Sequence, residues 1–542
     1  MSVPAPSVIL DRVAHWAQTK PDEVAVQYLD RTHTWAQWHE RLLHLTGALA
    51  AEGIGPADTV AFVDKNNLAC LEVTYAASAL GAANAIPNFR LAGDELDYVI
   101  NDSRARILFV GAEFAQEIAS LRSRLSSVEK IVVVGGENDE FEPWLAAAAP
   151  ATLPDVAAET TALLLYSSGT TGRPKGVQLT HRNLFAHAED VLAVLPFTDG
   201  DCLLVAMPLF HVGGTCYAVM GIHDGRRCVF TREADAPSLF GGLAAGANIA
   251  FLVPPVIAAV LAAGERAIGA FARLKRITYG AAPMPLPLLR GALAAWPDTE
   301  FVQVYGMTEL AGVITALLPD VHRDPAQERR MASAGTPIPG VEMRVVDPAT
   351  LEDVAPGGIG ELWWRSAQTT PGYWNRPDAT AETITPDGWL RSGDMGRVDD
   401  GGFVFIEDRL KDMIITGGEN VYCPEVERVL VEHPAVAEVA VIGVPDEKWG
   451  ETVKAVVVLA PDQKADEQEL VDYTRRHLAH FKCPSSIDIV DMLPRNPTGK
   501  ILKRSLRAPY WAGHERTGRG AARLSGCGGS GRPGPGRRRC TW

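Results

Sequence analysis

Short apolar runs rich in β-branched residues recur along most of the chain, separated by longer Ala/Leu-rich stretches. TVAFV (59–63), RILFV (106–110), KIVVV (130–134), CLLVAM (202–207) and IAFLV (249–253) are the clearest runs. TWAQWHERLLHLTGALAAEG (34–53) is typical of the helix-like segments between them. Runs apolar at nearly every position have both faces covered, which is how strands of a parallel sheet read. The alternation predicts an α/β fold with mainly parallel sheets and ligand sites beyond the carboxyl ends of the strands. No internal repeat is visible.

Residues 236–264 carry no charge. A membrane span is one reading. Four glycines and three prolines in that stretch favour another, namely a buried strand over 248–253 followed by a helix begun at Pro254-Pro255.

The pattern changes after about residue 350. GELWWRS (360–366) and GFVFIED (402–408) suggest a smaller β unit, and 412–508 reads as a compact α/β segment. The expected organisation is a large unit over 1–408, a hinge at 409–412, a small mobile α+β domain over 413–510 and a disordered tail over 511–542.

Charge and composition sharpen this picture. The chain has 542 residues, a net charge of -15 and 47% hydrophobic residues, which is globular and speaks against nucleic acid as the main partner. From Ala508 onward the balance reverses, with nine Gly and seven Arg against one acidic residue. A tether and a tail outside the selected reading frame both account for it, and the second is preferred. The eight cysteines show no CxxC or metal spacing, so they read as small buried hydrophobes in a reducing compartment. No signal peptide is read at the N-terminus, and the expected location is cytoplasmic with at most peripheral membrane contact. A homodimer is left open.

The densest chemistry is LLLYSSGTTGRPKGVQLTH (163–181). An apolar strand runs into Ser167, Ser168, Gly169, Thr170, Thr171 and Gly172, with Lys175 just beyond. Small residues let backbone N–H groups approach an anion, and hydroxyls and an ammonium add donors. The loop is not of the GxxxxGK[ST] type, because Lys175 is followed by glycine. VQVYGMTE (302–309) supplies Tyr305, Gly306, Thr308 and Glu309, and a Glu there can hold Mg²⁺. RSGDMG (391–396) puts Asp394 on a turn, where a carboxylate can bind ribose hydroxyls. DRLKDMIITGGENVYCPEVE (408–427) and PRNPTGKILK (494–503) complete a set of five.

With these motifs in this order, the chain resembles the adenylate-forming superfamily of acyl-CoA synthetases, peptide-synthetase adenylation domains and luciferases. The resemblance runs from the N-terminus to about Tyr510 and is closest to bacterial FadD-type fatty-acyl-CoA ligases. It implies a carboxylate attacking the α-phosphate of ATP-Mg²⁺, then the thiol of coenzyme A displacing AMP. Lys500 matches the lysine bridging carboxylate and phosphate. Ser168, Thr170, Thr171 and Lys175 match the pyrophosphate loop. Glu309, with Thr170, matches the Mg²⁺ site. Gly280, Ala281, Ala282 and Tyr305 match the adenine site, Asp394 and Arg409 the ribose site, and Lys411 the hinge. The 416–420 loop, with Gly417, Gly418 and Glu419, would border the pantetheine channel after the small domain rotates. His211 in PLFHVGG would gate the acyl pocket, lined by Val212, Gly213, Gly214, Tyr279 and Met307, with further lining from 212–216, 254–256 and 307–313. Phe210 is followed by His rather than by the Asp that pairs a substrate ammonium, so amino acids are disfavoured. Alkyl, alicyclic and aryl acids stay open, as do a carrier-protein thiol as acceptor and a non-catalytic relative. The retained Lys175, Glu309 and Lys500 speak against the last.

Overall fold

The computed structural model describes residues 7–91, 93–167, 173–416, 419–495 and 501–512. The expectations for Ser168, Gly169, Thr170, Thr171, Gly172, Gly417, Gly418 and Lys500, and for the tail from residue 513, lie outside the described residues.

Four sheets organise the described chain. The first has six strands in the order Lys130–Val134, Ile107–Gly111, Thr59–Val63, Ala83–Ile86, Thr161–Ser167 and Lys175–Thr180. All neighbours are parallel except the last pair. A nine-stranded sheet lies beside it. Its six central strands are parallel in the order Glu300–Met307, Arg276–Gly280, Ile249–Leu252, Cys202–Val205, Arg227–Phe230 and Val24–Tyr28. Antiparallel strands finish both edges. Four of the five apolar runs read from the sequence are thus interior strands, buried throughout, while Lys130–Val134 is an edge strand buried at only two positions. One continuous apolar cluster includes Trp35, Trp38, Phe62, Phe109, Phe230 and Tyr75, each at most 2% exposed, and so joins the two sheets.

Local signals place the helices. Thr34 and Gln37 exchange side-chain and backbone hydrogen bonds and start Trp35–Ala51. Thr180 and Asn183 do the same for His181–Val194. Each arrangement satisfies backbone N–H groups that have no partner within the helix. The uncharged 236–264 stretch is a helix, Ala236–Ala244, a buried strand, Ile249–Leu252, and a helix opened by proline, Pro254–Ala262. No helix among the described residues is long and apolar enough to cross a membrane.

A four-stranded antiparallel sheet, Glu342–Val346, Gly360–Arg365, Leu390–Val398 and Val404–Arg409, forms the β unit. The last sheet gathers Ile414–Thr416, Glu419–Val421, Val436–Asp446, Gly450–Leu459 and Ser486–Ile489. Packing reaches the first residue of the expected tail, since the Trp511 indole donates to the Gly443 carbonyl at 2.9 Å.

Burial leaves a signature in pH. His181, His187, His223 and His322 are buried, and each is pushed down to about 4. The unfolded chain protonates these groups first, so full stability holds above pH 6.5 and is lost as pH falls towards 4. Each contributes a loss of about 3 kcal/mol across that window. Asp408, pushed up to about 6 by burial, acts oppositely: the folded state takes its proton first, which offsets one histidine. Urea unfolding midpoints should therefore fall steeply between pH 6.5 and 4. A midpoint constant over that range would contradict the assignment.

Candidate active site

The strand Glu300–Met307 ends at the carboxyl edge of the nine-stranded sheet and turns through Thr308–Leu310 into Gly312–Leu317. The turn is tight. A Cβ on Gly306 would lie 1.6 Å from the Gly312 carbonyl oxygen, and Ala311 and Gly312 adopt φ of 53° and 126°. Only glycine lets these strands approach so closely with their register shifted between Tyr305 and Gly306. The turn swings Glu309 inward to 7% exposure.

The Glu309 carboxylate accepts a hydrogen bond from the Tyr373 hydroxyl at 2.9 Å. The Lys175 ammonium sits over the Tyr373 ring, 4.9 Å from its centre. The segment around Tyr373 is laid along the strand Lys175–Thr180, with Trp374 N–H donating to the Gly176 carbonyl at 2.7 Å. The Glu309 carbonyl in turn accepts from Thr370 N–H at 2.9 Å. Glu309 and Lys175, read from two distant motifs, are thus joined through an aromatic residue that the sequence reading missed. Its only sequence signal is an aromatic pair in the loop GYWNRP.

A second group lies next to the first. Asp394 is 2% exposed. One carboxylate oxygen accepts from the Tyr305 hydroxyl at 2.5 Å, and the other meets Arg409 Nε at 2.6 Å. The Asp394 charge raises the affinity of the Arg409 guanidinium for its proton, and burial pushes the Tyr305 hydroxyl up. Two lone-pair positions of the carboxylate are used and two are left for another donor. Beyond Arg409, Leu410 N–H donates to the Gly393 carbonyl and Asp412 pairs with Arg507 at 2.8 Å. Burial lowers the Lys411 ammonium. Gly280 ends its parallel strand, and a Cβ there would be 2.3 Å from the Val304 carbonyl oxygen. Ala281 follows at φ 63°, exposed, with Ala282 half-buried. Ser167 is paired with Lys175 at the mouth of the loop. Glu419 is exposed on its short strand. Thr308 is half-buried in the turn.

Behind these groups is a narrow apolar cavity of about 40 Å³. Its walls come from the helices His181–Val194 and Val212–His223 and from four strands. Val212, Gly213, Cys216, Gly312 and Val313 line it. Three expected lining residues do not. Tyr279 points to the opposite face of its strand, fully buried, with its hydroxyl 2.9 Å from His322 Nε2. Arg276 and Thr278, two residues apart on that strand, have the cavity side, as strand alternation requires. Gly214 is a packing glycine, since a Cβ there would meet the Pro208 carbonyl oxygen at 2.2 Å. Met307 packs against the β unit with Leu310 and Leu362. Residues 254–256 are also absent from the lining. His211 caps the helix Val212–His223, its Nδ1 accepting from Gly213 N–H at 3.1 Å. His187, Tyr217, Phe251 and Arg276 line the cavity without having been anticipated. The six described cysteines are free and buried, and burial pushes Cys216 up to about 12, which keeps that thiol inert.

A carboxylate–tyrosine–arginine cluster and the Glu309–Tyr373–Lys175 group thus lie beside an apolar cavity at one sheet edge, an arrangement suited to a nucleotide. Comparison with known proteins agrees. The family described as AMP-binding enzyme matches residues 13–374, and its C-terminal domain matches 425–500. The chain belongs to the AMP-binding enzymes, within the adenylate-forming superfamily. It is 37% identical over 525 residues to the fatty acid–[acyl-carrier-protein] ligase ScoC of Streptomyces coeruleorubidus, covering 95% of this chain and 98% of that one. It is 37% identical over 499 residues to a feruloyl-CoA synthase of Amycolatopsis sp, covering 91% and 97%. The crystal structure of ATP-bound MatB from Rhodopseudomonas palustris superposes with a TM-score of 0.85 at 28% identity, covering 93% of this chain and 100% of that one.

The Gly306 contact gives a direct check. Gly306→Ala forces a methyl into the Gly312 backbone and should cost about 3 kcal/mol of stability, read by urea denaturation. An unchanged midpoint would show that the turn opens without penalty.

Proposed function

We propose that the chain is an ATP-dependent, AMP-forming acid–thiol ligase. It joins an apolar carboxylic acid to coenzyme A through an acyl-adenylate. The observation that carries the reading is the convergence of Asp394–Tyr305–Arg409, Glu309–Tyr373–Lys175 and the apolar cavity on one sheet edge. Relatives named as CoA ligases and synthetases support it.

In the first step two anions must meet, and positioned cations and donors offset their repulsion. Lys175 supplies charge towards the β- and γ-phosphates. Asp394 takes the ribose hydroxyls with its free lone pairs, and Arg409 keeps that carboxylate oriented. The backbone of Ala281 and Ala282 and the Tyr305 ring hold the adenine. No group of three or more His, Cys, Asp or Glu among the described residues could hold a metal. Mg²⁺ that arrives on ATP needs only one or two protein carboxylates, and Glu309, fixed by Tyr373, fits that need. Bound there, Mg²⁺ would neutralise phosphate charge. His211, already engaged as a helix cap, gates the cavity rather than moving a proton. Lys500 bridges the acid and the α-phosphate. Rotation of a small domain about 409–412 then withdraws it and brings Glu419 and its loop towards coenzyme A.

A second reading, transfer to a carrier-protein thiol, is favoured by the likeness to ScoC. Pyrophosphate and AMP release, measured with ATP-Mg²⁺ and a panel of acids, separates the two. Turnover that requires coenzyme A supports the first. One pyrophosphate per enzyme that coenzyme A does not restart supports the second. Lys500→Ala should depress acyl-AMP formation at least about 100-fold, while thioester formation from supplied acyl-AMP falls much less. Equal losses in the two half-reactions would contradict the role given to Lys500.

A further inference from the structure

The cavity has a floor. The helix His181–Val194 runs along it with His187 at one end, where a Cβ on Gly312 would lie 2.8 Å from His187 Nε2. Gly312 belongs to the turn that carries Glu309, so this end is the mouth. Leu195, just past the helix, is at the other end, and its carbonyl accepts from Arg276 Nη1 at 3.5 Å. Eight residues of helix separate the two ends, or about 12 Å. The strand Arg276–Gly280 gives an independent measure. Gly280 is at the carboxyl edge and Arg276 four residues below it, about 13 Å by strand rise. Two elements of different geometry agree on the depth.

Arg276 closes that depth. It is 8% exposed. Its guanidinium is bound to Glu300 at 2.9 Å and to the Pro196 carbonyl at 3.4 Å as well as to Leu195. The Glu300 side chain is 41% exposed, so water lies on its far side. Phe197 packs the same end. An acyl tail longer than the cavity would have to displace the Arg276 guanidinium from Glu300 and from both carbonyls and leave it against hydrocarbon, which is unfavourable for an unpaired charge.

We infer that the acid is a compact apolar one, whose tail ends against Arg276 about 12 Å below the mouth, and that the Arg276–Glu300 pair is the stop that sets its length. This rests on the ligase reading above. It narrows the substrate to aryl and medium-length alkyl acids and rejects long-chain ones. A purely structural account of Arg276 is that it caps the carboxyl end of the helix. The two accounts differ in what they predict for acids of different length.

The test compares octanoate, a cinnamate and palmitate in the pyrophosphate-release assay with coenzyme A. The wild type, Arg276→Ala and Phe197→Ala are each assayed. In the wild type, kcat/KM for the better compact acid should exceed that for palmitate about tenfold or more. Both variants should raise the palmitate-to-compact ratio about tenfold, with KM for ATP unchanged. Phe197→Ala leaves the Arg276 bonds in place, so it decides the matter if Arg276→Ala fails to fold. Wild-type turnover of palmitate equal to that of the compact acids would overturn the length stop, as would variants that change all acids by one factor. Absence of pyrophosphate release with every acid would instead overturn the ligase reading, and this inference with it.

Discussion

The Asp394 carboxylate ties the architecture together. It sits on the β unit, takes a hydrogen bond from Tyr305 of the nine-stranded sheet, and is paired with Arg409 at the start of the expected hinge. A charge at 2% exposure is tolerable only when it is paired. Arg409 is its cross-strand neighbour in the β unit, so the Tyr305 bond fixes that unit against the nine-stranded sheet. Facing a guanidinium, the carboxylate acts as an acceptor only, and an acceptor is what sugar hydroxyls require.

Close backbone approach is the second constraint. Gly306 against Gly312, Gly280 against Val304 and Gly214 against Pro208 each bring two chain segments nearer than any side chain allows. The first places the turn that buries Glu309. The second leaves the end of a parallel strand flush with its neighbour, just before the exposed Ala281. The third seats the helix that walls the cavity. The site is thus built less by its reacting side chains than by where side chains are missing.

The local chemistry is legible from residue types alone. The Gly/Ser/Thr loop, the turn with Glu309 and the segment with Asp394 are short, and their residues state what a phosphate, a cation or a ribose requires, although Asp394, expected on a turn, lies inside the strand Leu390–Val398. The strands are legible for a similar reason, since continuous β-branched runs have few alternatives to burial. Tyr373 is not legible. It reaches Glu309 across 64 residues of sequence, and nothing nearby indicates the partner. Tyr279 is misplaced by sequence for a related reason. Its strand is identifiable, but alternation gives two faces, and only packing decides which one holds the cavity. The lining from His187 to Arg276 comes from a helix and strands that carry no motif of their own.

By itself, then, the sequence determined the fold class, the succession of elements and the nature of the nucleotide chemistry, because these depend on periodicity and on residues close together in the chain. The tertiary structure alone decided the shape and depth of the cavity, the partners of Asp394 and Glu309, and the position of Arg276. Those are set by which segments pack against which, and contacts between distant segments leave little trace in local composition.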